Sequence, residues 1–276
     1  MTSTDADNMP DRTPPAIEAA RGVLSPRRAA AHSTLTTVPP APALAPFVEF
    51  HWHVRWDLRG QPPYDQKVLS HPNVHLVFEE TGAALYGVDR GLFVRRLEGA
   101  GQVLGVKFRP GGFRPFWGRP VQELADQVVP AEQAFGAAVE ETGRRILALT
   151  EPAAMAALAD AFLLARLPEP DPQAAEVAAM VETAGSDHDL VRVEQLADRC
   201  GVSVRTLQRL FAEYVGASPK WVLRRARLHE AALRAGAGSV DWSALAADLG
   251  YADQSHLTRD FTAVVGLPPT RYAQRS

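Results

Sequence analysis

The N-terminal half of the chain carries a pattern typical of β-structure. Nine consecutive positions alternate in character: the apolar residues are Val48, Phe50, Trp52, Val54 and Trp56, and the polar residues are Glu49, His51, His53 and Arg55. This period of two predicts a half-buried strand. Further short strands are predicted at 74–78, 83–88, 92–97 and 103–108, and Gly or Pro separates most of them. Short, closely spaced strands favour a β-rich barrel or sandwich.

The pattern becomes helical after the turn-rich run 109–120. Helices are predicted near 121–127, 130–149 and 153–166. Residues 168–172 hold prolines at alternate positions, which favour a stiff, extended linker. We therefore predict a β-rich domain over 34–167 and a helical domain over 173–276. Residues 1–33 lack an apolar period, so we predict a disordered tail there.

A helix-turn-helix is predicted at about 191–215. The apolar face of its first helix consists of Val193, Leu196, Ala197 and Cys200, and that of its second helix of Leu207, Leu210, Phe211 and Tyr214. Both sets follow the spacing i, i+3, i+4, i+7 of a helix face. Gly201 is suited to end the first helix and Ser203 to cap the second. In such units the second helix enters the major groove of DNA.

The same parts recur at about 240–265. The first helix face contains Trp242, Leu245, Ala246 and Leu249, Gly250 stands at the turn, Asp253 is placed to cap, and Leu257 and Phe261 lie on the inner face of the second helix. The second turn holds one extra residue. Both copies then contain Phe-x4-Gly-x2-Pro, beginning at Phe211 and at Phe261. An internal repeat with correct helix faces indicates two related units, and residues 220–235 would form the helix joining them.

Charge and composition add a partner and a location. The net charge of the chain is −3, but residues 199–235 hold eight basic residues against two acidic ones, an excess of six positive charges. A basic patch of this kind favours phosphate contacts and hence double-stranded DNA as a partner. A single cysteine, Cys200, excludes an internal disulfide, and its place on the apolar helix face favours core packing over a reactive role. No leader sequence and no apolar run of about 18 residues is present, so we expect a cytoplasmic protein without a membrane partner.

The C-terminal segment resembles the AraC/XylS family of bacterial regulators. The resemblance covers about 190–273 and rests on Thr206-Leu-Gln-Arg-Leu-Phe, Gly216-x-x-Pro219, the arginine-rich 221–233 helix, Leu249-Gly-Tyr-Ala-Asp-Gln-Ser-His-Leu-x-Arg259-x-Phe and Gly266-x-x-Pro-x-x-Tyr272. It implies a sequence-specific transcription regulator, an activator or a repressor, with two recognition helices in successive major-groove segments. The expected fold is α+β. The N-terminal domain would be a β-rich barrel or sandwich of cupin-like type that also contains helices, and the C-terminal domain would be an all-α double helix-turn-helix.

The residues expected to face DNA lie on the outer faces of the two recognition helices. They are Arg205, Gln208 and Arg209 in the first helix, and Gln254, Ser255, His256, Thr258 and Arg259 in the second. Arginine can bond a guanine edge through two donors, and glutamine can pair with adenine. Phosphate contacts are expected from Ser203, Lys220, Arg224 and Arg225, with at least one of the helix arginines packed within the domain.

The N-terminal half leaves more than one interpretation open. Residues 71–78, 105–116 and 123–126 resemble an uncharacterised domain of some AraC-type regulators, which implies signal sensing or dimerisation. An alternative is a metal-dependent, cupin-like enzyme fused to a DNA-binding module, with His51, His53 and His75 as candidate ligands, although the face carrying His51 and His53 could equally be solvated. A third is a protein-interaction module. We favour a regulator that is not an enzyme and needs no cofactor. Candidate further partners are RNA polymerase, a small-molecule effector bound by the N-terminal domain, and a second copy of the chain.

Overall fold

The N-terminal half is built on an antiparallel sheet. The computed structural model describes residues 22–236 and 240–274. After a short helix α1 (Pro26–Ala30) come eight strands: β1 (Thr34–Val38), β2 (Val48–Asp57), β3 (Tyr64–Val68), β4 (His75–Glu79), β5 (Gly82–Tyr86), β6 (Phe93–Leu97), β7 (Ala100–Phe108) and β8 (Val128–Pro130). Six of them form one sheet in the order β1-β2-β7-β4-β5-β8, while β3 and β6 pair as a separate ribbon. The arrangement is sandwich-like and not a closed barrel, because both edges of the large sheet remain open.

The remaining elements are helical. They are α2 (Arg114–Trp117), α3 (Glu132–Phe135), α4 (Ala138–Leu147), α5 (Pro152–Leu164), α6 (Pro172–Ser186), α7 (Val193–Arg199), α8 (Val204–Tyr214), α9 (Pro219–Gly236), α10 (Trp242–Asp248), α11 (Gln254–Val265) and α12 (Pro269–Ala273), with 3-10 turns at Pro42–Leu44 and Val121–Leu124. The predicted strands are confirmed to within a few residues, and β1, β3 and β8 were not predicted. The single helix predicted at 130–149 is wrong: Pro130 ends β8, and Gly136, with φ +70°, separates α3 from α4.

The N-terminal core lies on one face of the six-stranded sheet. Leu76, Leu104 and Val106 are fully buried there against helices α4 and α5. The suggestion that His51 and His53 share a solvated face is wrong, because both point to this covered side and are at most 4% exposed. The opposite face of the sheet, which carries the alternating tryptophans, lies under the β3–β6 ribbon.

The predicted tail is partly ordered. Its residues 1–21 lie outside the described part of the chain, but residues 22–33 do not form a disordered segment. Val23 pairs with Val68 in a β-bridge, and Leu24 is only 5% exposed. Leu24 and Leu69 pack into the same hydrophobic cluster as Leu228 of α9. The N-terminal half therefore packs directly on the helical half.

Residues 167–171 form neither helix nor strand, and α6 begins at Pro172, the last residue of the predicted linker. Asp171 caps α6 by accepting a hydrogen bond from the backbone N–H of Gln173 at 2.9 Å. The other carboxylate oxygen of Asp171 accepts from the Tyr214 hydroxyl at 2.8 Å, which ties the linker to α8. Division of the chain into two domains at this segment remains a prediction. Across the described ranges, no helix combines the length and the apolar character needed to span a membrane.

Candidate nucleic-acid interface

The first helix-turn-helix consists of α7 and α8. The turn between them holds Gly201 in the left-handed region, with φ +67°, which a residue with a side chain adopts at a cost. Ser203 caps α8: its hydroxyl accepts a hydrogen bond from the backbone N–H of Thr206 at 3.1 Å. Leu196 and Ala197 of α7 pack on Leu207 and its neighbours, all buried. The caps, the turn and the buried faces are those predicted from the sequence.

The second helix-turn-helix, α10 and α11, repeats this geometry. Gly250 takes φ +69° in its turn, and Asp253 caps α11 by accepting from the N–H of His256 at 2.7 Å. Four residues separate α7 from α8, whereas five separate α10 from α11. The extra residue predicted for the second turn is confirmed.

Helix α9 joins the two units as one continuous element. Its 18 residues correspond to a length of about 27 Å at 1.5 Å per residue. The N-terminal part of α9 places Val222 and Leu223 in the hydrophobic cluster of the first unit. The C-terminal part places Leu228 and Ala231 in the cluster of the second. One rigid helix thus belongs to both cores and fixes their separation.

A polar network orients the second recognition helix, α11, on the joining helix. Asp260 of α11 accepts a hydrogen bond from Arg224 Nε at 2.6 Å, and its second oxygen accepts from the Tyr251 hydroxyl at 2.9 Å. The guanidinium of Arg227 lies over the Tyr251 ring, 4.8 Å from its centre. Burial, followed by the nearby Asp260 charge, raises the pKa of Tyr251. The tyrosine therefore stays a hydrogen-bond donor at neutral pH.

Most of the basic residues in the predicted patch are engaged within the protein. Arg199 pairs with Asp187 at 2.5 Å, Arg234 pairs with Glu230 and Asp248, and Arg224 and Arg227 belong to the network of Asp260 and Tyr251. Arg225 is 3% exposed and donates to the carbonyls of Arg90 and Gly91 in the N-terminal half. The expectation that Arg225 contacts phosphate is wrong in this conformation, because its charge is buried against another part of the chain.

The three remaining cations of the patch are exposed, two on α8 and one at the start of α9. Arg205, Arg209 and Lys220 are exposed, and none has an ion-pair partner among the described residues. Arg259 of α11 is likewise exposed and has no ion-pair partner among the described residues. We call the exposed polar side chains of α8 and α11 the recognition surface; they are Arg205, Gln208, Arg209, Gln254, Ser255, His256 and Arg259. Thr258 is half-buried beside them, and Ser203 is exposed at the start of α8.

Contacts between the first recognition helix and the N-terminal half were not predicted. Glu213 of α8 accepts a hydrogen bond from Arg114 Nε at 2.7 Å, across 99 residues of sequence. The ring of Tyr214 packs against the core as predicted, and its hydroxyl also donates a hydrogen bond to Asp171. No local pattern indicates such pairs, because their partners come from distant elements.

The candidate metal ligands do not converge. His51 Nε2 donates a hydrogen bond to a carboxylate oxygen of Asp160 in α5 at 2.7 Å. His53 Nε2 forms a hydrogen bond with the side-chain oxygen of Gln102 at 3.1 Å. His75 lies on the other face of the sheet, where its Nδ1 accepts from Trp52. Within the described ranges, no group of three or more His, Cys, Asp or Glu side chains is arranged to hold a metal ion.

Cys200 packs against the hydrophobic cluster of the first helix-turn-helix. Burial raises the pKa of its thiol, which lowers its nucleophilicity at neutral pH. Its packing position is the one predicted from the helix face.

Comparison with known proteins bears on both halves. Residues 196–275 match the family described as "Helix-turn-helix domain", and residues 36–130 match "Domain of unknown function (DUF6597)". An AraC-like transcription regulator from Streptomyces lividans is 36% identical over 80 residues, which are 29% of this chain. The match spans only 26% of that relative's length.

Two crystal structures of ToxT from Vibrio cholerae are similar at low sequence identity. One is 9% identical, covers 88% of this chain and 97% of its own, and has a TM-score of 0.40. The other, from strain O395, is 9% identical, covers 88% of this chain and 96% of its own, and has a TM-score of 0.39.

The family match over 196–275 and the geometry of the twin units give the conclusion on the C-terminal part of this chain. That part is a helix-turn-helix domain of the AraC type.

Proposed function

We propose that the chain is a sequence-specific DNA-binding transcription regulator. Its recognition helices α8 and α11 enter adjacent major-groove segments of one duplex. Successive turns of the groove are about 34 Å apart, and a joining helix of about 27 Å, with a recognition helix packed near each end, suits that spacing. The proposal places the protein in the cytoplasm with DNA and RNA polymerase as partners.

The observation that carries the proposal is the distribution of free charge. Five of the eight basic residues of the patch are engaged within the protein, while Arg205 and Arg209 on α8 stay exposed without an ion-pair partner in the described part of the chain. Arg259 on α11 is also exposed and without an ion-pair partner in the described ranges. An arginine that pairs with no carboxylate keeps its donors available for a guanine edge or a phosphate. Neighbouring Gln208 and Gln254 supply side-chain amides suited to adenine.

We further propose that a signal bound in the N-terminal half controls DNA binding. A cavity of about 240 Å³ lies between the large sheet and the β3–β6 ribbon. Ser70, His71 and Asp89 line its rim, and the same segments contact the joining helix. His229 of α9 donates to the Ser70 carbonyl at 3.4 Å, and its ring stacks on that of His71 at 3.9 Å between centres. A change at the rim therefore has a direct mechanical route to α9.

The test is selection of binding sites from random duplex DNA with the full chain, followed by affinity measurements on the selected site. Replacing Arg209 or Arg259 with Ala should weaken specific binding by about 1–3 kcal/mol each, or about 5- to 150-fold, and relax base preference locally. Arg145→Ala is the matched control, because Arg145 is an exposed arginine of α4 outside the recognition surface. If both recognition variants bind the selected site as tightly as the unmodified chain, the assignment of the recognition surface is wrong.

A further inference from the structure

The cavity under the β3–β6 ribbon is lined mainly by carbon. Its floor is the face of the large sheet opposite the N-terminal core, and its roof is the ribbon. Five aromatic side chains take part in the lining: Phe50, Trp52, Trp56, Tyr86 and Phe93. The alternating tryptophans that mark β2 in the sequence therefore do not fill a core. They form the wall of a space that a ligand can enter.

Glycines on the neighbouring strand hold the two indole rings flat. Gly105 and Gly101 of β7 stand opposite Trp52 and Trp56 in the strand register. A Cβ atom on Gly105 would lie 2.0 Å from the Trp52 ring, and one on Gly101 would lie 2.4 Å from the Trp56 ring. Only a residue without a side chain leaves this space. Each indole thus lies against the β7 backbone with its other face turned to the cavity.

The polar atoms of these rings are already satisfied by the protein. Trp52 Nε1 donates to His75 Nδ1 at 3.0 Å, and Trp56 Nε1 donates to the carbonyl of Glu98 at 3.0 Å. The two rings therefore offer a ligand their π faces, which favour stacked or edge-on contact with another aromatic ring.

The charges around the cavity are also paired with one another. Glu79 forms an ion pair with Arg95 at 2.6 Å and accepts from the Tyr86 hydroxyl at 2.8 Å. Lys107, 5% exposed, pairs with Glu49 at 3.0 Å.

Two further ionisable groups of the lining, Asp89 and His75, add no unpaired cation. Asp89, at the rim, interacts electrostatically with Arg225 of the joining helix. Burial, followed by the nearby Lys107 charge, lowers the pKa of His75 to about 3, so its ring is neutral at physiological pH. A charged ligand would have to compete for groups that are already matched, and breaking a buried pair is costly. The electrostatics therefore favour a neutral ligand.

We propose that the cavity binds a neutral, planar aromatic molecule of one or two fused rings, stacked on Trp52 and Trp56. The size follows from comparison with engineered apolar cavities, since one of roughly 150 Å³ holds benzene. A space of about 240 Å³ has room for a bicyclic ring system. That such a molecule is the controlling signal rests on the proposed function, whereas its binding in the cavity does not.

The experiment is isothermal titration of the full-length chain at pH 7 with three probes of similar size: indole, indole-3-carboxylate and octanoate. Indole should bind with one-to-one stoichiometry. Both anions should bind at least about tenfold more weakly, because Arg95 and Lys107 of the lining are already paired with Glu79 and Glu49. Equal or tighter binding of either anion would overturn the ligand class. Absence of indole binding up to its solubility would overturn the site.

Two filling variants and one matched control locate the binding. Val103→Phe and Val54→Phe, from facing positions on β7 and β2, both fill the cavity, and each should reduce indole affinity at least about tenfold. Val94→Phe makes the same change on a 48% exposed residue of β6 that does not line the cavity, and it should leave affinity unchanged. Circular dichroism and thermal melting identify the variants that fold.

A folded filling variant that binds indole as well as the unmodified chain would place the binding elsewhere and contradict the proposal. The titration contains no DNA. Its failure is therefore distinct from failure of the recognition surface, which the Arg209 and Arg259 variants test.

Discussion

Arg225 of the joining helix donates a hydrogen bond to the backbone carbonyl of Arg90 in the N-terminal half, with 2.7 Å between nitrogen and oxygen. The same nitrogen reaches the carbonyl of Gly91 at 2.9 Å, and the guanidinium lies over the Trp221 ring, 4.6 Å from its centre. Burial lowers the pKa of Arg225 to about 10. The side chain is therefore still charged at neutral pH, and it ties the loop after β5 to the helix that carries both DNA-binding units.

Removing this contact should loosen the two halves. Arg225→Ala removes the donor to the Gly91 carbonyl and one of the two donors to the Arg90 carbonyl, which also accepts from Trp221 Nε1 at 3.3 Å. We expect a loss of about 1–3 kcal/mol in the free energy of unfolding. Urea denaturation measures it, with Arg145→Ala as the control for loss of an exposed arginine. An unchanged unfolding free energy would mean that the Arg225 contact does not hold the halves together.

Substitutions of a base-contacting residue and of a phosphate-contacting residue should affect DNA binding in different ways. Arg209→Ala on the recognition surface should change the ranking of selected sites, because base-edge contacts carry sequence information. Lys220→Ala, at the start of α9, should weaken binding to all sequences alike and reduce the slope of log affinity against log salt by about 1. Competition assays over a range of salt concentrations distinguish the two. Uniform weakening by Arg209→Ala would show that Arg209 contacts the DNA backbone instead.

The glycine–tryptophan pairs of the cavity floor predict a specific non-additivity. Gly105→Ala places a methyl group into the Trp52 ring, so we expect a loss of about 1–3 kcal/mol in stability from overpacking. In a Trp52→Leu background the clash is relieved, and the cost of Gly105→Ala should fall by at least about 1 kcal/mol. Denaturation of the four proteins completes the cycle.

Gly101→Ala is the matched control for this cycle, because its nearest neighbour is Trp56. Trp52→Leu should not reduce its cost. Additive effects of Gly105→Ala and Trp52→Leu would show that the indole does not rest on the β7 backbone.

His75 should make stability depend on pH. The histidine takes up a proton near pH 6.5 in the unfolded chain, but only at about 3 in the folded one. The unfolded state therefore binds more protons between these values, and stability falls as the pH drops from 6.5 towards 3. The slope contributed by His75 approaches about 1.4 kcal/mol per pH unit.

The measurement is urea unfolding of the unmodified chain and of His75→Gln at several pH values between 7 and 4. The unfolding free energy of the variant should fall less steeply as the pH drops, and the difference between the two slopes should approach about 1.4 kcal/mol per pH unit. Parallel curves would show that His75 is protonated in the folded state.

The helix-turn-helix units illustrate how far local sequence determines structure. Helix faces, the left-handed glycines Gly201 and Gly250, and the caps Ser203 and Asp253 all depend on residues within a few positions of one another. Such interactions form from the local chain alone, and all of them were predictable. The repeat itself, including its extra turn residue, could be predicted for the same reason.

What only the tertiary structure decided is which side chains remain free and what covers each face. The alternation in β2 predicted a strand, but both of its faces are covered, one by α5 and the other by a ribbon whose strands lie elsewhere in the chain. Arg209 and Arg225 belong to the same basic run, and only the fold leaves one exposed and buries the other against Arg90, 135 residues away. Burial and ion pairing depend on partners distant in sequence, so no local pattern could specify them.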